Sequence, residues 1–354
     1  MTRLYLDHAA TTPLLPAARA AMAEGLERWA NPSSPHAEGR AARAALEQAR
    51  TRIAAALGFN GAVIFTSGAT EAIEIVLRGA KARTHLVSAA EHDAVRRAAG
   101  NAATLPVTAD GVVEPVTAAM PGSLVAIQAV NNETGVIQPL GERIASVRES
   151  GGLFFADCAQ SAGKLPLPDA DFIAVSAHKL GGPPGIGALL VRDLATLNPT
   201  GGQEQGYRGG TENLPAALGF AAAVEAGADW LDRARLLRAR LDAAIREGGG
   251  TVVAETVERL ATIGSYRMPG VAATSQLIRF DLAGIAVSAG SACSSGSLKP
   301  SHVLAAMGWE EEAAREVIRI SFGPDTNDAD VDRVVAQWLA LAASMRGQQK
   351  ERAA

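Results

Sequence analysis

The chain has 354 residues, a formal net charge of −4 and two cysteines. That length suits two lobes with sizeable cores, the mildly negative charge argues against a nucleic-acid binder, and two cysteines exclude a disulfide framework. Hydrophobic residues make up 48% and charges, Gly and Pro interrupt every apolar run, so the expectation is a soluble cytoplasmic protein without a membrane span or signal peptide.

In chain order, "EGRAARAALEQARTRIAAALG" sets Ala42, Ala45, Leu46, Ala49, Ile53 and Leu57 on one helical face, and Gly58 stops the helix. "AVIFT" reads as a strand, followed by a turn and helix in "SGATEAIEIVLRGA". "THLVS", "SLVAIQAV", "LFFAD", "DFIAV" and "GALLVR" are further strand candidates. Near-continuous apolar strands interleaved with helices predict a mostly parallel sheet covered on both faces. The Ala-rich segment from Leu214 to Ile245 is expected to be helical and to end at "EGGG", residues 247–250. A last helix is expected from about Asp328 to Met345, with a frayed tail. The predicted architecture is α/β: a large lobe over 16–247, whose mostly parallel sheet is flanked by helices, and a smaller α+β lobe over 248–354. Residues 1–15 are expected to pack with the small lobe.

Four stretches bear chemistry. In "FTSGATE" a strand ends at Ser67-Gly68-Ala69-Thr70 and a helix begins, offering free N–H groups to an anion such as phosphate, although a plain β–α turn reads the same way. "FADCAQ" ends a strand on Asp157, where α/β sheets carry ligand groups, and also where helix caps occur. In "SAHK" Lys179 leaves a strand for a glycine-rich loop. Desolvation there would free its amine as a nucleophile, whereas an isolated lysine more often snorkels at the surface. Anion turn, acid and lysine in one lobe fit pyridoxal phosphate, which needs a Schiff-base lysine and an acid for its ring nitrogen. Finally, "GSACSSGS" puts Cys293 among small residues, where the chain is least able to bury a thiol.

These stretches, with "LDHAATTP", "NPSSPHAEGR", "EHDAV", "VNNETGVIQP", "GPPGIGAL", "GGQEQGYRGGTEN" and "IRISFG", resemble in order the cysteine desulfurases, fold-type-I pyridoxal-phosphate enzymes of the class V aminotransferase group. The resemblance covers nearly the whole chain. It implies pyridoxal 5'-phosphate held by Lys179, with Asp157 on the pyridine nitrogen and His92 stacked on the ring. It implies polar contacts to the ring oxygen and substrate from Gln160 and Asn132, and a phosphate cup from Ala69, Thr70, Ser176 and His178. Thr211 would reach the phosphate of a second subunit in a homodimer, and Arg319 would clamp the substrate carboxylate. Cys293 would take sulfur from L-cysteine as a persulfide, leave alanine, and pass the sulfur to an acceptor protein in iron–sulfur assembly or thiolation.

Some positions depart from the family pattern. Ala72, Ile73 and Glu74 replace small or amide residues, Leu180 and Pro184 remove polar groups near the site mouth, and Gly209 replaces a serine. These changes bear on substrate tuning and docking more than on reaction class. A lyase acting on selenocysteine or cysteine sulfinate, or an aminotransferase, is the neighbouring alternative, and Cys293 argues against the aminotransferase. A cofactor-binding relay protein without turnover would have lost Lys179, Asp157 or Cys293. His36 is expected to be a structural hydrogen-bonder and Cys158 a packed thiol; His85 and His302 are given no role.

Overall fold

The structure, a computed structural model, describes residues 3–289 and 300–353. The chain begins with β1 (Leu4–Tyr5), α1 (Pro16–Glu27) and α2 (Ala37–Ala56), then β2 (Ala62–Thr66), α3 (Ala69–Gly79), β3 (Thr84–Ser88), α4 (Asp93–Ala99) and β4 (Ala103–Leu105). It continues through β5 (Ser123–Ala126), α5 (Leu140–Glu149), β6 (Leu153–Asp157), β7 (Phe172–Ser176), β8 (Gly187–Val191), α6 (Leu214–Glu225) and α7 (Leu231–Glu247). The remainder is β9 (Thr251–Val252), β10 (Ile263–Arg267), α8 (Ala273–Leu282), β11 (Ile285–Ala286), β12 (Ser288–Ala289), α9 (His302–Ala306), α10 (Glu311–Ala314), β13 (Val317–Ser321) and α11 (Asp328–Ala353).

Among the described residues, seven strands form one sheet in the order β2-β8-β7-β6-β5-β3-β4, parallel except for β8, which runs against both neighbours. The apolar runs have a direct cause in this sheet. Phe172 and Ala174 of β7 enter the core on one face, and Ile173 and Val175 enter the core on the other. With both faces covered, the strand stays apolar up to Ser176, its last residue, which lines the cavity. A fully buried Phe or Ile contributes roughly 1.5–3 kcal/mol, so the sheet is the main store of stability. The register Thr66↔Gly187↔Ser176 brings the C-terminal ends of β2 and β7 to one edge, and β6 ends on Asp157 beside Ala174 at that same edge.

A second, four-stranded antiparallel sheet, β12-β13-β10-β9, packs with α7, α8 and α11 around a separate core that includes Phe280, Ile318, Ile320 and Trp338. β1 pairs with β11 in parallel, and Asp7 bridges to Ser321. The large and small sheets agree with the expected α/β architecture. Helix α2 buries Ala42, Ala45, Leu46, Ala49 and Ile53 as its periodicity predicts.

Two local expectations need correction. The segment from Leu214 to Ile245 is two helices, α6 and α7, parted by a turn at Gly227, whose φ of +66° suits glycine. Helix α11 does not stop near Met345 but runs to Ala353, because the polar tail is rich in good helix formers. Leu237, Leu241 and Ile245 of α7 lie in the core of the smaller sheet. We therefore propose that the lobe junction is the Gly227 turn rather than residues 247–250. Among the described residues no helix is long and apolar enough to cross a membrane.

Candidate active site

The C-terminal edge of the large sheet opens on a cavity of about 530 Å³. Ala69, Thr70, His92, Asn132, Asp157, Gln160, Ser176, His178, Lys179 and Arg319 all line it. The structure thus gathers ten of the twelve residues singled out in the sequence. Thr211 is exposed and does not line the cavity, and Cys293 lies outside the described residues.

Helix α3 starts from Gly68, with a φ of +153° and no side-chain cap, and Gly68, Ala69, Thr70 and Ser176 all line the cavity. A Cβ on Gly187 would lie within 2.8 Å of the Gly68 Cα, so these two glycines let the turn press against β8. The His178 ring contacts the Thr11 hydroxyl through Nδ1 at 3.2 Å. Burial, helped by Lys179, pushes His178 down to about 4, which makes it a neutral ring. A hydroxyl, a neutral imidazole and helix-end amides together form a donor set suited to a phosphate.

In the middle of the cavity Lys179 follows β7. Burial pushes its amine down to about 8; Asp157 opposes the shift, Arg319 adds to it and Asp7 opposes it. Asp157 is buried, and its Oδ1 accepts the Ala159 N–H at 2.9 Å. His92 caps α4: its Nδ1 accepts the Ala94 N–H at 3.2 Å, which puts the ring proton on Nε2. Burial lowers the His92 pKa, Asp157 opposes this, and Lys179 reinforces it. Gln160 donates from Nε2 to the Ala9 carbonyl at 2.9 Å, while its buried Oε1 meets no partner among the described residues.

At the far end Arg319, on β13 of the smaller sheet, donates to the Asn132 carbonyl at 3.0 Å and to the Asp7 carboxylate at 2.7 Å. Arg319 is buried, and its Nε has no acceptor among the described residues. The chain leading away from Asp7 straps the site together. Thr12 N–H donates to the His178 carbonyl at 2.9 Å and Leu15 N–H to the Gly181 carbonyl at 2.8 Å. Under the strap His8 is neutral, burial pushing it down to about 4, and a Cβ on Gly323 would collide with its ring.

Sequence reasoning left Asp7, Lys164, Glu133 and His302 without a role. Asp7, Glu133 and His302 line the cavity, and Lys164 donates to the Gln160 carbonyl at 3.2 Å and the Lys179 carbonyl at 3.5 Å. Asp7 and Glu133 stand inside the quoted stretches "LDHAATTP" and "VNNETGVIQP", so the motifs carried a signal, but not the contacts. His302 Nε2 donates to the Glu91 carbonyl at 2.8 Å. Cys158 is buried and its thiol is pushed up to about 12, chiefly by burial, so it is packed as expected. His36 caps α2, also as expected.

The sequence profile of the class-V aminotransferases matches residues 4–334. A cysteine desulfurase of Gluconacetobacter diazotrophicus is 38% identical, over 98% of this chain and 95% of that protein. This chain belongs to the cysteine desulfurase family. An IscS-like cysteine desulfurase of Mycobacterium tuberculosis is 37% identical over 93% of each chain. Among solved structures, a NifS-like protein from Rickettsia africae matches with a TM-score of 0.87 at 30% identity, over 95% of this chain and 98% of that one. SspA, solved in complex with cysteine, matches with a TM-score of 0.78 at 31% identity, over 91% of this chain and 99% of that one.

Cysteine desulfurases depend on pyridoxal phosphate, and the cavity fits it. The uncapped α3 terminus with Ser176 offers donors to a phosphate, the orphaned Gln160 Oε1 can accept from a ring hydroxyl, and Asp157 can meet a protonated ring nitrogen. The lowered Lys179 amine suits attachment to an aldehyde carbon, since only the neutral amine is nucleophilic.

Proposed function

We propose that this cysteine desulfurase takes L-cysteine, releases L-alanine and keeps the sulfur as a persulfide on Cys293 for delivery to an acceptor protein in iron–sulfur assembly or thiolation. The observation that carries the reading is that Lys179, Asp157, His92 and Arg319 all line one cavity, close enough that Asp157 and Arg319 both act on the charge of the Lys179 amine. The reaction balances without an outside oxidant. The substrate C–S bond breaks, an S–S bond forms to Cys293, and the substrate carbon gains the hydrogen that makes alanine.

Pyridoxal phosphate, held by Lys179, Asp157, Gln160 and the donors at the α3 terminus, supplies an electron sink for the substrate Cα. Arg319 binds the carboxylate and turns the Cα toward Lys179. With its amine near 8, Lys179 can accept a proton at Cα and return one at neutral pH. His92, with its proton on Nε2, can donate to the cofactor ring or the substrate. Asp157 holds the ring nitrogen protonated. Cys293 supplies the thiolate that attacks the substrate sulfur.

The reading includes a cytoplasmic homodimer in which Thr211 reaches the partner's phosphate. The exposure of Thr211, and of Trp29 at the end of α1, supports a surface that a second copy covers. The test is turnover with a thiol reductant. Alanine and sulfide should form in equal amounts from L-cysteine. Transfer of the amino group to a keto acid without sulfide would overturn the reading in favour of an aminotransferase, and faster turnover of selenocysteine would reassign the substrate.

A further inference from the structure

Arg319 is tied within the chain to two acceptors. Arg319 is 5% exposed; Nη1 is held by the Asn132 carbonyl, Nη2 by the Asp7 carboxylate, and Nε, also buried, meets no acceptor among the described residues. An unsatisfied N–H on a buried cation costs free energy, so the site is built to receive another acceptor. Both Asp7 and Arg319 line the cavity. Asp7 is also fixed in place: its carbonyl accepts the Ala10 N–H at 3.0 Å and the Tyr5 hydroxyl at 3.1 Å, and it bridges to Ser321, two residues beyond Arg319 on β13.

We propose that Asp7 is a positioning residue and internal counter-ion that weakens the grip of Arg319 on the carboxylate of substrate and product. This rests on Arg319 being the carboxylate clamp, as in the reading above. A carboxylate entering the cavity must share one guanidinium with another carboxylate, and the repulsion between the two anions offsets part of the attraction. The benefit falls on release. Alanine carries the same carboxylate as L-cysteine, and a bare arginine in so dry a setting would hold both too long. Asp7 also orients the fork, which leaves Nε as the donor that remains to be satisfied.

Asp7→Asn separates the two roles. Its amide oxygen can still accept from Nη2, so the guanidinium keeps its orientation while the counter-charge is lost. In the holoenzyme we expect the KM for L-cysteine and the calorimetric Kd for L-alanine both to fall about five-fold. Inhibition by cysteamine, which has the thiol and amine but no carboxylate, should stay within about two-fold of wild type. Asp7→Glu keeps the charge and should hold the wild-type alanine Kd. Asp7→Ser is a second neutral variant, available if Asp7→Asn does not fold. A neutral variant whose alanine Kd is unchanged or raised, or a cysteamine effect as large as the alanine effect, overturns the proposal. Alanine binding is read without turnover, so failure of this inference stays distinct from failure of the desulfurase reading, which wild-type product formation tests.

Discussion

The two walls of the cavity hold their polar groups by different means. On the sheet side Asp157, Ser176 and Lys179 come from β6 and β7 or the turn after β7, and these strands are buried on both faces and paired in register. On the opposite side Arg319 is placed by Asp7, 312 residues away in sequence, and by the Asn132 carbonyl, 187 residues away. The sheet side is rigid because a core stands behind it. The Arg319 side depends on a few polar ties that cross from the N-terminal strap to the smaller sheet. The sheet side should therefore govern the chemical step, and the Arg319 side the affinity for what enters.

The sharpest way to break this division is Lys179→Ala. Alanine formation should fall by at least about a thousand-fold, as expected when a positioned proton carrier is removed; if kcat survives within ten-fold, the sheet side is not the catalytic wall. A second large effect belongs to the frame behind that wall. Glu204 is fully buried, pairs with Arg50 at 2.7 Å and accepts the Phe65 N–H of β2 at 2.7 Å. Glu204→Ala removes the buried partner of Arg50, leaving it only the more exposed Glu47 and the Val63 carbonyl, and should cost about 3 kcal/mol in denaturant unfolding. Arg319→Ala tests the other wall: KM for L-cysteine should rise about thirty-fold, the worth of a charge-assisted contact, with a smaller change in kcat. A fall in kcat as large as the rise in KM would erase the distinction between the walls.

The smallest effect is a pH slope. Burial lowers the Lys164 ammonium from 10.5 to about 8, and Lys179 adds to the shift. Between those values the unfolded chain binds the proton and the folded chain does not, so stability from this group rises as pH climbs from about 8 to 10.5. Lys164→Met should flatten that part of the stability profile measured by urea unfolding.

The sheet side was legible in the sequence because its cause is local. Each strand is an apolar run that ends on a polar residue, and Asp157 and Lys179 sit where those runs stop. The Arg319 side was legible only in part. The motif stretches named Arg319 and included Asp7, but nothing in their spacing says that one pairs with the other, since the contact forms only when the strap crosses to β13. The break between α6 and α7 was missed for a related reason: the Ala-rich pattern continues across it, and only the packing of α7 on the smaller sheet requires the turn. Helix α11 outran its expected end because helix propensity in a polar tail needs no apolar face. Thr211 is exposed and away from the cavity, and the role proposed for it needs a second copy of the chain.

The central claim is that sulfur leaves L-cysteine for a thiol of this protein. The most direct measurement mixes the purified holoenzyme with L-cysteine in the absence of reductant, then quantifies alanine and maps added sulfur by mass spectrometry. One alanine per subunit, with one extra sulfur on the peptide carrying Cys293, is the predicted result. Alanine formed in that amount with no sulfur on Cys293, or sulfur on Cys158 instead, would contradict the account.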